Sequence, residues 1–265
     1  MSVVYYIYKN TLRLDIQEWI KNNFIVITSP TANSVQEAIT YVSNLEKNNR
    51  GSLSVYFPDV YYNNFKDSEG KDVKIPACIA VLNTYAKTDS VNKWSAPAGV
   101  TRGRLSLAKS LSVQLTDSDL TTLYDNNIPI NGIKDISGKG YIVWGNKTTS
   151  SNSSFFDRIN VSRLTKYVTK QAYLISWDYL FEPITNTVFA DWKMKMEALL
   201  SRIQMGNGLE EYQVIMDSTK EHLEIYSWRP ENKEVNLFFE IFDKKLREFR
   251  AFILCPQCSS KISSL

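Results

Sequence analysis

Short apolar runs alternate with amphipathic stretches along most of the chain. Val3 to Tyr8 (VVYYIY) and Phe24 to Thr28 (FIVIT) are β-branched and aromatic and predict strands, with a helical stretch around Asp15 to Asn22 between them. Val35, Ala38, Ile39, Val42 and Leu45 recur at helical spacing, which predicts a helix from Val35 to about Lys47, capped by Asn33 or Ser34 and stopped by Asn48 to Gly51. Leu53 to Phe57 reads as the next strand. The polar run Tyr61 to Val73 reads as an exposed loop, and the apolar run Ile75 to Leu82 as a strand around Ile79. Pro97 and Gly99 mark an irregular segment.

Helices are predicted at Arg104 to Leu115 and, capped by Thr116 or Asp117, at Ser118 to Asn126. Tyr141 to Trp144 predicts a short buried strand, followed by a Ser/Thr/Asn-rich loop from Asn146 to Ser154. Between about Arg158 and Tyr173 the helical period is clearest: Val161, Leu164 and Val168 share one face, and Arg163, Lys166 and Lys170 form a basic stripe opposite. A strand at Leu180 and Phe181 ends at Pro183. Val188, Trp192, Met196, Leu199 and Ile203 then stack along a helix from Thr187 to Ile203 that ends near Gly206 and Gly208. Tyr212 to Met216, Leu223 to Trp228 and Val235 to Phe242 predict closing strands. The alternation specifies an α/β fold, a mixed β-sheet covered by helices.

Composition narrows the function classes. At 265 residues the chain suits one large domain, with 43% hydrophobic and 22% charged residues. Thirty-one Lys and Arg against 28 Asp and Glu leave a formal charge of +3, too small to indicate non-specific nucleic-acid or membrane binding. Three Cys and one His leave little room for a disulfide framework, a zinc site or a His-based triad. No apolar run reaches the ~18 to 20 residues of a membrane span. The start lacks a basic leader and a small-residue cleavage site, so signal-peptide export is not expected. Aromatic content of 12%, with 15 Tyr and 6 Trp, suits a large core or extensive subunit contacts.

The local motifs carry little chemistry. Gly140 to Thr148 (GYIVWGNKT) departs from a phosphate loop by the inserted Asn146, and its bulky YIVW reads as a strand. Cys255-Pro-Gln-Cys258 has redox or half-zinc spacing but no second pair to complete a site. His222 reads as a surface side chain beside Glu221 and Glu224, and Met194, Met196 and Met205 as packing residues. No catalytic residue, metal ligand or cofactor is expected, with nucleotide binding and thiol redox as distant alternatives. The stripe Arg163, Lys166, Lys170 reads as a solvated face or as a contact for an acidic protein surface. It lacks the interleaved aromatics of a single-strand binder.

Six segments are informative together: Tyr85 to Ser90 (YAKTDS), Lys93 to Val100 (KWSAPAGV), Leu123 to Ile130 (LYDNNIPI), Gly138 to Thr148 (GKGYIVWGNKT), Phe156 to Leu164 (FDRINVSRL) and Leu180 to Pro183 (LFEP). In this order they resemble the C-terminal conserved region of contractile tail sheath proteins of bacteriophages and related injection machines, from about Asn33 to Phe242. Where that family often carries paired arginines after Asn-Val, this chain has Ser162-Arg163.

The resemblance implies a non-enzymatic subunit of the virion tail, assembled in the host cytoplasm. Its partners would be further copies in hexameric rings, the inner tail tube, and baseplate or terminator proteins, without direct contact to nucleic acid or membrane. A baseplate, collar or terminator ring component that does not contract is the alternative. It also implies terminal arms that add strands to neighbouring subunits. The expected organisation is an arm at 1–14 carrying Val3, Tyr5 and Ile7, a core at 15–242 that ends on an exchanging strand with Phe239 and Ile241, and a tail at 243–265.

Overall fold

The computed structural model describes residues 25–45, 51–150, 155–179, 181–182, 185–217, 222–228, 235–240 and 250–252. They fall into two compact units that divide between Lys166 and Tyr167. The first unit runs β1 (Val26–Thr28), α1 (Val35–Ser43), β2 (Leu53–Phe57), β3 (Val60–Lys66), β4 (Asp72–Ile75), α2 (Ala77–Val91), the single turn α3 (Gly99–Arg102), β5 (Ala108–Leu111), α4 (Asp117–Tyr124), β6 (Ile130–Ile136) and β7 (Gly140–Trp144). After a 3-10 turn at Phe155–Asp157, helix α5 (Ile159–Ser176) begins. It crosses the division at Lys166.

A mixed sheet in the order β1-β2-β6-β7 organises this unit, parallel from β1 to β6 and antiparallel between β6 and β7. Alternation along β2 separates its two faces. Val55 and Phe57, with Ile130 of β6, pack under Ala38 and Val42 of α1 and Leu123 of α4. On the other face, Tyr56, with Ile27 and Ile133, packs against Ala77, Val81 and Tyr85 of α2 and Val60 and Leu111 of the small antiparallel sheet β4-β3-β5. The apolar run Val55 to Phe57 of β2 therefore reflects burial on both sides.

Local signals explain several boundaries. Ser34 caps α1 by accepting the Glu37 N–H at 3.2 Å, and Thr116 and Asp119 form a reciprocal capping box on α4. Strand β7 occupies the YIVW run as expected.

Four sequence expectations are corrected. The apolar run around Ile79 is helix α2: the Asp59 carboxylate, 18 residues upstream, accepts the Ala77 N–H at 2.9 Å and seeds the first turn, leaving Ile79 45% exposed. The expected helix at Arg104 to Leu115 instead contains β5, because Ala108 to Leu111 pairs with β3. The polar run after Tyr61 is the hairpin β3-β4, whose turn is closed by the Asp67 carboxylate accepting the N–H groups of Glu69 and Lys71. Strand β6 carries the turn-like residues Asn131 and Gly132 and is absent from the expected list, yet lies inside the sheet.

The second unit contains the rest of α5, a 3-10 turn at Trp177–Tyr179, α6 (Asn186–Met205), and β8 (Glu211–Asp217), β9 (His222–Trp228), β10 (Val235–Glu240) and β11 (Arg250–Phe252). Trp192, Met196, Leu199 and Ile203 are buried along one face of α6, as their spacing predicts. Ser176 links the two helices by accepting the Trp192 indole N–H at 2.8 Å. The strands form an antiparallel sheet in the order β11-β10-β9-β8. Of the expected strand at Leu180 and Phe181, Leu180 lies outside the described residues and Phe181 sits in a turn, 92% exposed.

Candidate assembly surface

Helix α5 holds its apolar residues as expected, with Leu164 and Val168 buried. The basic stripe opposite them does not form one outer face. Arg163 is 2% exposed and its guanidinium reaches back to α2: one Nη donates to the Asp89 carboxylate, and the other donates to the Ser95 carbonyl at 3.2 Å. The guanidinium carbon lies 5.1 Å from the Tyr85 ring centroid. Lys93 completes the cluster, 3.8 Å from the Asp89 carboxylate and donating to the Asp89 carbonyl at 2.9 Å. A buried guanidinium requires such partners, since desolvation of an unpaired charge costs several kcal/mol.

Beneath this cluster the Tyr56 and Tyr85 hydroxyls are 2.8 Å apart. Burial pushes the Tyr85 phenol up to about 12, and the Tyr56 phenol also well above its ordinary value, so both stay neutral at physiological pH. Lys166 is half-buried and donates to Ser52 Oγ at 2.9 Å, while Lys170 is exposed. Arg163 is therefore corrected from a surface residue to an internal tie. Its partner is remote in sequence, and a helical wheel carries no information about it.

Of the segments that carry the family resemblance, the five before Leu180 meet around this tie. Ser162 Oγ donates to the Gly51 carbonyl at 2.7 Å, Asn146 donates to the Asn160 carboxamide at 2.9 Å, and Asn160 donates to the Trp94 carbonyl at 3.5 Å. Beside the GYIVWGNKT segment, the buried Asn131 side chain of β6 donates to the carbonyls of Val55 and Lys147 and accepts the Lys147 N–H at 2.8 Å. Gly145 is required beside it, because a Cβ there would meet Asn131 Oδ1 at 2.6 Å. Lys147 Nζ lies 4.1 Å from the Tyr124 ring centroid and donates to the Tyr124 carbonyl at 3.0 Å. This segment is a strand and its anchor, with no loop of N–H groups to wrap a phosphate.

Of the expected arm residues, Val3, Tyr5, Ile7 and Ile241 lie outside the described residues, as do Cys255 and Cys258. Phe239 lies in β10, opposite Leu223 of β9 and Ala251 of β11 in the same chain. His222 opens β9. Met196 is buried, but Met194 and Met205 are 62% and 76% exposed, a correction to their reading as packing residues. Among the described residues no group of His, Cys, Asp or Glu is placed to hold a metal, and no helix is long and apolar enough to cross a membrane.

The helical wheel also misses an exposed apolar strip on the second unit. Tyr173, Leu174, Trp177 and Phe181 are exposed, and the Tyr173 and Trp177 rings meet edge to face at 5.7 Å. The spacing of four from Tyr173 to Trp177 to Phe181 was the available signal.

No family model matches the chain. It is 32% identical over 146 residues to the tail sheath protein of Vibrio phage KVP40, and 31% identical over 150 residues to that of Enterobacteria phage T4. Each match spans 55% of this chain and 22% of the relative, so the chain corresponds to about a fifth of the length of these proteins. Among solved structures, the helical sheath of the anti-feeding prophage in its contracted state aligns with a TM-score of 0.58 at 16% identity, covering 91% of this chain and 59% of that one. The baseplate of the same particle in its contracted state aligns with a TM-score of 0.62 at 15% identity, covering 88% of this chain and 58% of that one. In sequence the chain is similar over about half its length to the tail sheath proteins of these two phages, and in fold it is similar over most of its length to the anti-feeding prophage sheath.

Proposed function

We propose that the chain is a structural subunit of a phage contractile tail sheath. It polymerises as stacked hexameric rings around an inner tail tube, in a virion tail assembled in the host cytoplasm, and drives ejection by contraction without enzymatic turnover. The observation that carries this reading is the match to tail sheath proteins of two phages over 55% of the chain. The internal ties of the first unit support it. A subunit that is re-packed as a near-rigid body needs polar seams that survive the movement, and Arg163, Asn131 and Ser162 supply buried ones. The segments 1–14 and 243–265 act in this reading as arms that add strands to neighbours.

A second reading, a sheath-like ring at the baseplate that does not contract, is favoured by the likeness to the anti-feeding prophage baseplate. Electron microscopy of the purified protein separates the two. Tubes, extended or contracted, are expected for a sheath. A single closed ring would assign the chain to the tail end, and a monodisperse monomer under all conditions would overturn both.

A further inference from the structure

The two layers that cover the mixed sheet of the first unit carry opposite charge. On one face lie α1, α4 and their flanks, residues 29–45 and 113–128, where the charged side chains are Glu37, Asp117, Asp119 and Asp125 with no Lys or Arg. On the other lie α2 and the sheet β4-β3-β5, where Lys66, Lys71, Lys87, Arg104 and Lys109 are exposed against exposed Asp67 and Glu69.

Internal pairing does not erase the contrast. On the acidic face, Lys134 reaches Asp117, Lys147 reaches Asp125, and Arg158, paired with Asp157, donates to the Tyr124 hydroxyl. Among the described residues no cation pairs with Glu37 or Asp119, which accept the N–H groups of Asn33 and Thr116. On the basic face, Lys71 pairs with Glu69 and the single Asp72 carboxylate is shared by Lys66 and Lys109, while among the described residues the Lys87 ammonium bonds the neutral Arg104 carbonyl and Ser106 Oγ.

We propose that these faces bind each other between copies of the chain, the α2 face of one subunit meeting the α1–α4 face of the next. The occupant of each face is a second copy because each presents the complement of the other. Two different patches on one molecule make a heterologous contact, which propagates into rings or filaments and does not close as a dimer. Exposed ion pairs are individually weak, so such a contact gains strength by repetition and can still rearrange. This rests on the reading of the chain as a polymerising subunit and adds which surfaces meet.

Charge reversal of the full chain tests it. One variant carries Lys87→Glu, Arg104→Glu and Lys109→Glu; the other carries Glu37→Lys, Asp117→Lys and Asp125→Lys. Assembly is followed by sedimentation and electron microscopy, with circular dichroism as the check on folding. The native chain is expected to assemble at low ionic strength, with its critical concentration rising at least about tenfold between roughly 50 and 500 mM salt. Neither variant should assemble alone, and an equimolar mixture should form alternating polymers. Should a triple variant lose its fold, the single reversals Lys87→Glu and Asp117→Lys replace it in the same mixing experiment. Assembly of either variant alone at the native concentration, or a folded mixture that stays unassembled, overturns this contact and leaves the sheath reading standing. A native chain that never assembles overturns both.

Discussion

Arg163 of α5 and Asp89 in the last turn of α2, 74 residues apart, form a buried ion pair whose guanidinium also takes the Ser95 carbonyl. Removing Asp89 leaves the Arg163 charge buried without a carboxylate, which typically costs ~3 to 5 kcal/mol, whereas removing Arg163 leaves the part-buried Asp89 with Lys93. Asp89→Ala should lower stability in urea denaturation by that order, Arg163→Ala by less, and Arg163→Met with Asp89→Leu by less than the sum of the single changes. A loss below about 0.5 kcal/mol for Arg163→Ala would return this residue to the surface.

Gly145→Ala tests the anchor of β7. The new Cβ would lie 2.8 Å from Asn131 Cα, a backbone contact that cannot rotate away, so overpacking of ~1 to 3 kcal/mol is expected. Gly138, with nothing within 4 Å of a Cβ but a φ of 73°, serves as the comparison site for backbone strain without a clash. Thermal melts of Gly145→Ala and Gly138→Ala should show the larger loss at Gly145.

On α6 the methionines divide by burial. Met196→Ala should cost ~2 to 5 kcal/mol through the cavity it leaves, whereas Met194→Ala should stay within about 0.5 kcal/mol. Equal losses would place both side chains in the core. Chemical denaturation of each variant reads the difference directly.

The capping box of α4 predicts an acid-side dependence. Hydrogen bonds from the Thr116 hydroxyl and then its backbone N–H hold the Asp119 carboxyl below its ordinary value. A carboxyl depressed in the folded state binds its proton more readily when unfolded. Its contribution is present above the ordinary carboxylate value and is lost as pH falls through the folded one. The urea midpoint of Asp119→Asn should therefore fall less steeply than that of the native chain below about pH 4, and Thr116→Ala should cost ~1 kcal/mol at neutral pH.

Deleting residues 1–10 tests the proposed N-terminal arm. The shortened chain is expected to keep its melting temperature and to lose polymerisation in sedimentation velocity. A chain that no longer folds would assign Val3, Tyr5 and Ile7 to the subunit's own sheet.

Local periodicity and end signals were sufficient for α1, α4, α5, α6 and the strands β2, β7, β8, β9 and β10, because helical spacing, caps and apolar runs are properties of neighbours along the chain. The resemblance to sheath proteins was likewise legible, as six short segments in order. Tertiary structure decided what depends on remote partners. Residues around Ile79 became a helix because Asp59 supplies its first turn with an acceptor, Ala108 to Leu111 became a strand because β3 offers it an edge, and β6 entered the sheet despite Asn131 and Gly132 because Asn131 bonds β2 and the β7 anchor. Arg163 shows the limit most plainly. Its place on the α5 wheel was correct, but whether that face met water or an acid was set by Asp89, which only folding brings within reach.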